Sequence, residues 1–344
     1  MPDKRKDSTA HEKSSSKRPK TEASQAAGDV TTEDSISYDP VHFIRSHSKN
    51  NDPADIKTQI WEVVFEPDPN SPDKTTSRVA TCGGNSICII DVNSGTVLMK
   101  YRHKELKFVI NFFYFYTLAW TTLDLKGEKG GSEKTNILIR MFHPQYKVCF
   151  HEWRPVEKKT HAVNSLVFHT ENPTWLFCKM IKPLVSLWDI GKPTIPSYDG
   201  VCPKQLLKLF PDYGDVYNIV WTGSNRYLLA GTAAGLVGWK IEDDQVIDNK
   251  DYKPQVIDFL MPENDRDNGE NPIVDSLAVA SENTIVSKCA LHGLIYVWDL
   301  KSTVKKIVDV EKKAGGVIEK EVTMLAHLRW SDTDNFYMNL GTHK

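Results

Sequence analysis

YNIVWTGSNRYLLAGTAAGLVGWKI, residues 217–241, decides the fold. An apolar pentad (217–221) is followed by a polar turn. Two short β-branched and leucine-rich runs then flank a small-residue turn, and the second ends on Trp239. Alternating apolar residues broken by Gly or Asn-Ser-Gly turns are hairpin sequence. The same unit recurs on both sides. Pentads WEVVF (61–65), YTLAW (116–120), NSLVF (164–168) and DSLAV (275–279) open further units. Tryptophan-centred strands SLWDI (186–190) and YVWDL (296–300) close two of them. From pentad to tryptophan is about two dozen residues in three units, room for three strands and their turns. A repeat of this kind predicts an all-β, WD-repeat β-propeller, which is more often a binding platform than an enzyme.

Further β-rich runs, RVATCGGNSICIIDVNSG (78–95) and NTIVSKCALHGLIYVWDL (283–300), fit the same pattern. At roughly 40–50 residues per blade, the length beyond the tail predicts six to seven blades. A sixth pentad is expected near Phe336, with the last blade incomplete at Lys344. Unit two, with NILIRMF at 136–142, has too few residues for a full set of strands. The polar stretch 242–271 reads as a surface loop between blades.

The composition is that of an ordinary globular chain: 344 residues, 40% hydrophobic and a formal net charge of −2. No apolar run reaches the roughly 18–20 residues that span a bilayer. FVINFFYFYTL (108–118) is too short and runs into a pentad, so it reads as buried sequence. Six scattered cysteines lack the paired spacing of a zinc ribbon and read as reduced core residues. His143, His151, His161 and His169 would need partners from separate strands to hold a metal, and read as structural. No Ser/His/Asp, Cys/His or paired-carboxylate arrangement is present, and no glycine cluster has phosphate-loop spacing. The expectation is a non-enzyme without metal or cofactor.

Residues 1–37 hold no aromatic residue and are rich in Ser, Thr, Lys and Glu, a composition expected to stay disordered. Within them Lys4-Arg5-Lys6 and Lys17-Arg18-Pro19-Lys20 stand about ten residues apart, the layout of a two-part nuclear import signal. The tail could also give weak, salt-sensitive contact with nucleic acid. The domain division expected is therefore a tail (1–37) and a propeller (38–344).

The first strand of each propeller blade lines the central channel, so the pentad heads ring one mouth. Trp61, Tyr116, Tyr217 and Phe336 or Tyr337 stand at these heads, with Asn164 and Asp275 among them. Aromatic faces around an opening, with a carboxylate nearby, suit a trimethylammonium ion, which keeps its charge but cannot donate a hydrogen bond. Each ring contributes roughly 0.5–2 kcal/mol by cation–π attraction. Trp61, Tyr116, Phe336 and Tyr337 are the cage candidates, and Asn164 and Asp275 the peptide-contacting candidates. Simple packing is the competing reading, favoured for Tyr217 and for Trp120, Trp221 and Trp330.

HFIRSHSKNNDP (42–53), TCGGNSICIIDVNSG (81–95), FYTLAWT (115–121), VCFHEWRPVEKKTHAVNSLVFH (148–169) and LRWSDTDNFYMNLGTHK (328–344) carry a family likeness. They resemble the propeller part of the leucine-rich-repeat and WD-repeat proteins associated with the origin recognition complex. The family carries leucine-rich repeats before its propeller, and none is read here. The resemblance implies a nuclear chromatin scaffold that helps hold the origin recognition complex on repressive chromatin (heterochromatin, centromeres or telomeres) bearing methylated histone tails. More distantly, the aromatic pentad heads are similar to those of the embryonic ectoderm development proteins of Polycomb complexes, propellers that read methyl-lysine. The runner-up is a substrate adaptor of a ubiquitin ligase or another generic interaction platform. Such adaptors often carry an Arg two residues after Trp-Asp, where this chain has Gly191 and Lys301.

Overall fold

The computed structural model describes residues 39–48, 52, 54–55, 58–68, 70–84, 86–102, 117–121, 139–143, 148–153, 163–180, 184–192, 202–211, 214–249, 251–264, 272–305, 317–330 and 339–342. All of its folded elements lie in one compact unit, 42–344. The first blade is an antiparallel meander of β1 (Ile60–Asp68), β2 (Ser71–Gly83), β3 (Ser86–Asp91) and β4 (Thr96–Arg102). In unit two the described strands are β5 (Ile139–His143) and β6 (Val148–Trp153), an antiparallel pair. The next meander runs β7 (Val163–Phe168), β8 (Trp175–Met180), β9 (Val185–Asp189), β10 (Lys204–Leu209). The fourth runs β11 (Val216–Trp221), β12 (Tyr227–Thr232), β13 (Gly235–Lys240), β14 (Val256–Leu260). The fifth opens with β15 (Val274–Val279), β16 (Thr284–Cys289) and β17 (Leu294–Asp299). The result is an all-β WD-repeat propeller, with four blades of at least four strands among the described residues.

The pentads at 164–168, 217–221 and 275–279 lie in β7, β11 and β15, the first strands of their sheets, and β11 lies against both β7 and β15. Successive side chains in a strand point to opposite faces, so a strand between two blades is apolar on both. Blade three shows this in WLFCKM (175–180), where every residue is buried. Trp175 and Phe177 join Leu228, Trp221 and Trp239 in a cluster shared with blade four, whereas Leu176 and Cys178 join Ile139, Met141 and Trp153 from unit two. Blade four repeats the division. Leu228 faces back, while Leu229 faces forward to Phe259, Ile285 and Trp298. The third-strand tryptophans Trp239 and Trp298 are fully buried, and the Trp298 indole N–H donates to Ser287 Oγ at 3.2 Å.

Three features depart from, or go beyond, the sequence reading. The stretch 242–271 is not a plain loop, for it contains the short helix α1 (Asp243–Asp248) and β14. Ile257 and Phe259 alternate inward on β14, a two-residue signal submerged in polar surroundings. A second departure follows the helix α2 (Leu300–Lys305). There β18 (Ile318–Glu321) pairs in parallel with β14 of blade four, and β19 (Thr323–Arg329) completes blade five against β17. One segment thus ties the outer edges of two blades. Third, among the described residues Cys82, Cys88, Cys178 and Cys289 are buried, but Cys202 is exposed.

The polar lead-in also packs onto blade one. Ile44 joins the Val79, Cys88 and Ile90 cluster, and Ser46, His47 and Ser48 are buried. His47 Nδ1 lies 3.2 Å from the Gly83 carbonyl, which can only accept, so this nitrogen carries the proton. Nε2 then accepts from the Thr81 hydroxyl at 2.7 Å. Burial holds the His47 pKa below its ordinary value; the Gly83 carbonyl opposes that shift and Lys100 adds to it. A Cβ on Gly83 would lie 2.5 Å from the Gln59 carbonyl, so glycine is required for this approach.

Candidate functional site

The pentad heads share one backbone feature. In blade one Ile60 pairs with Gly83 and Glu62 with Cys82, leaving a bulge at Trp61. In blade three Val163 pairs with Met180 and Ser165 with Lys179, leaving a bulge at Asn164. In blade four the same irregularity falls at Tyr217, between the Val216–Thr232 and Asn218–Gly231 pairs. In blade five it falls at Asp275, between the Val274–Cys289 and Ser276–Lys288 pairs. A bulge sets two residues against one and re-aims the side chain it carries. Trp61, Asn164, Tyr217 and Asp275 therefore hold equivalent places in their blades. Trp61, Asn164 and Tyr217 are half-buried, and Asp275 is fully buried, its carboxylate 2.6 Å from Lys288 Nζ. Tyr116, Phe336 and Tyr337 lie outside the described residues, as do Lys4, Arg5, Lys6, Lys17, Arg18 and Lys20.

The residue after each head links neighbouring units. The Leu118 N–H donates to Glu62 Oε2 at 2.6 Å, and the Ile219 N–H to Ser165 Oγ at 3.4 Å. The Leu277 N–H donates to Asn218 Oδ1 at 3.2 Å, and the Leu340 N–H to Ser276 Oγ at 2.7 Å. In each case the second pentad residue of one unit accepts from the third of a following unit. Leu340 is thus the third residue of the sixth pentad, which reads MNLGT (338–342). By that count Met338 stands at its head, one residue past Tyr337. The signal lay in the sequence: second positions are Glu62, Thr117, Ser165, Asn218, Ser276 and Asn339, every one an oxygen-bearing residue.

The charges along this row are tuned by burial. Burial pushes the Glu62 carboxyl up to about 7, against the opposing pull of the Leu118 N–H. Lys179, opposite Ser165, is brought down to about 8 by burial, with Asp215 partly offsetting it. Glu62, Lys179 and Lys288 belong to this row and were missed by reading pentad heads alone, because they lie one position on or one strand over.

Outside the row, His169 at the end of β7 sits 3.3 Å from Asp243 at the start of α1, with its ring 4.5 Å from that of Trp221. Its Nδ1 accepts from the Glu171 and Asn172 N–H groups, so Nε2 carries the proton toward Asp243. This joins blade three to blade four and makes His169 structural. Among the described residues no group of three or more His, Cys, Asp or Glu could hold a metal, and no helix is long and apolar enough to cross a membrane.

A family model described as the WD domain of leucine-rich repeat and WD repeat-containing protein 1 matches residues 25–344. The chain belongs to this family. Its relatives include leucine-rich repeat and WD repeat-containing protein 1 of Xenopus tropicalis, 32% identical over 88% of this chain and 42% of the relative. The human protein is 30% identical over 93% of this chain and 47% of its own length. That of Danio rerio is 29% identical over 98% and 43%. The chain spans less than half the length of the curated relatives it matches. Among solved structures, the crystal structure of RRP9 WD40 repeats aligns with 71% of this chain and 61% of its own, at 15% identity and a TM-score of 0.46. The leucine-rich repeat and WD repeat-containing protein 1 WD domain is thus the frame in which the row of pentad heads is set.

Proposed function

We propose that this chain is a chromatin-associated scaffold that binds methylated histone tails at the propeller mouth and helps hold the origin recognition complex on nuclear chromatin. The observation that carries the reading is the equivalence of the pentad heads, for Trp61 holds the same bulge position in its blade as Asn164, Tyr217 and Asp275 in theirs. Trp61 offers an indole face, and the Glu62 carboxyl follows it directly. Tyr116, head of the second pentad, is a further ring of the proposed cage, whereas Phe336 and Tyr337 fall ahead of the sixth head at Met338 and are not counted in it. A quaternary ammonium is poorly hydrated, so it loses little on leaving water and gains from each ring face. A few rings yield only modest affinity for a flexible tail, because ordering the tail opposes binding. A second anchor on the complex then raises occupancy through effective concentration. Family membership supports the scaffold role. The basic clusters at 4–6 and 17–20 support nuclear import, and loss of nuclear accumulation when both are changed to alanine checks it.

The scaffold half is tested by recovering partners of the tagged chain from nuclear extract. Origin recognition complex subunits retained at elevated salt are the expected result. Recovery of ubiquitin-ligase subunits without them would replace the reading with the adaptor one.

A further inference from the structure

The outermost strand of blade five, β19, is the end strand of its sheet. A sheet edge carries unpaired backbone groups, and folds guard it with charges, proline, bulges or a covering element. The other outer strands follow this rule among the described residues. β4 ends in Lys100, Tyr101 and Arg102, β10 carries exposed Lys204 and Lys208, and the outer side of β14 is taken by β18. β19 (TMLAHLR) holds no lysine, carboxylate or proline, and its one bulge falls early, at Leu325. Past that bulge every residue is exposed, Leu328 to 54%, and Trp330 just beyond to 40%. The Trp330 N–H donates to the Gly293 carbonyl at 2.8 Å, continuing a register that sets Leu328 opposite Ile295 and Ala326 opposite Val297. Backbone groups of alternate residues bond on opposite edges. Ala326, Leu328 and Trp330 therefore bond inward, to β17, while His327 and Arg329 turn N–H and C=O to the open edge. The side chains of Ala326, Leu328 and Trp330 share one face.

We propose that β19 is a self-association surface, at which a second copy of the chain adds its own β19 antiparallel about a two-fold axis at Leu328. The strand is self-complementary in that register. His327 of each copy exchanges backbone hydrogen bonds with Arg329 of the other. Leu328 meets Leu328 across the axis, and the small Ala326 lies opposite the large Trp330, so the apolar face continues from one sheet into the next. A closed two-fold contact requires one patch that fits itself, and the neighbouring registers fail this. A shift toward the N-terminus brings the Leu325 bulge into the ladder. A shift the other way sets Arg329 against Arg329, and like charges directly opposed are unfavourable. The pairing of β14 with β18 already shows one outer edge of this propeller accepting a further strand. The surface does not rest on the histone-binding reading, for it uses no pentad head.

Sedimentation of the full chain over about 1–100 μM tests this, the range where so small an interface is expected to half-assemble. The parent should pass from monomer to dimer, and exchange of the His327 and Arg329 amides should slow as it does. Leu328→Lys and Leu328→Glu each set like charges across the axis, so each should stay monomeric over the same range. Their equimolar mixture sets Lys against Glu and should restore the dimer, which a variant that had failed to fold would not do. A parent that stays monomeric throughout overturns the proposal. So does a dimer that survives either substitution, or a mixture that remains monomeric.

Discussion

Glu62 shows how a single residue reports its surroundings. Its carboxyl is raised to about 7 by burial, from 4.5 in an unfolded chain. The folded state therefore holds the proton more tightly between these values, and stability falls as pH rises through this window. Glu62→Gln keeps an acceptor for the Leu118 N–H and removes the charge. It should match the parent near pH 4.5 and be more stable at pH 8, by on the order of 2 kcal/mol. Urea unfolding at the two pH values measures this, and a constant difference would contradict the burial argument. His47 and His169 act with the opposite sign. Burial lowers both pKa values, so their contribution is present above about 6.5 and lost as pH falls below it. Little of this was legible in the sequence. Trp61, Asn164, Tyr217 and Asp275 could be read as equivalent because the pentads repeat. The burial of Lys179 and Lys288 could not be read, because it depends on which second-strand position faces the next blade.

At the scale of elements, the hydrogen bonds between first strands set the spacing of the blades. Asn218 is buried and accepts from the Leu277 N–H of blade five. Asn218→Ala leaves that amide without its acceptor and should cost about 1–3 kcal/mol, read as a lower unfolding midpoint. Gly231 stands opposite Asn218 where blades three and five place lysines. A Cβ there would lie 2.4 Å from the Val274 carbonyl. Gly231→Ala must push β15 away, with an expected loss of about 1–3 kcal/mol by the same measurement. The parallel pairing of β18 with β14 belongs to this scale too. Glu319→Pro should speed amide exchange across 256–260 while leaving blade three unchanged, and unaltered exchange would show that the pairing adds nothing. Strands buried on both faces, such as β12 and β8, were legible from their continuous apolar runs. The strand IEKE (318–321) was not, because its place is fixed by backbone pairing with β14 and by no apolar face of its own.

For the whole molecule, the family and the propeller were legible because a repeated unit announces itself many times over. Blade three buries opposite faces against unit two and blade four, and blade four does the same against blades three and five. In the proposed reading, the equivalent bulge positions of the blades meet at a common opening, and chemistry placed there acts jointly. Trp61, with Glu62 behind it, is the part of the proposed cage whose position is described. Titration of the chain with a histone-tail peptide, once with a trimethylated lysine and once unmodified, tests the central claim most directly. The account predicts tighter binding of the trimethylated peptide and loss of that difference in Trp61→Ala. Equal affinity for both peptides, or a difference that survives Trp61→Ala, would contradict it.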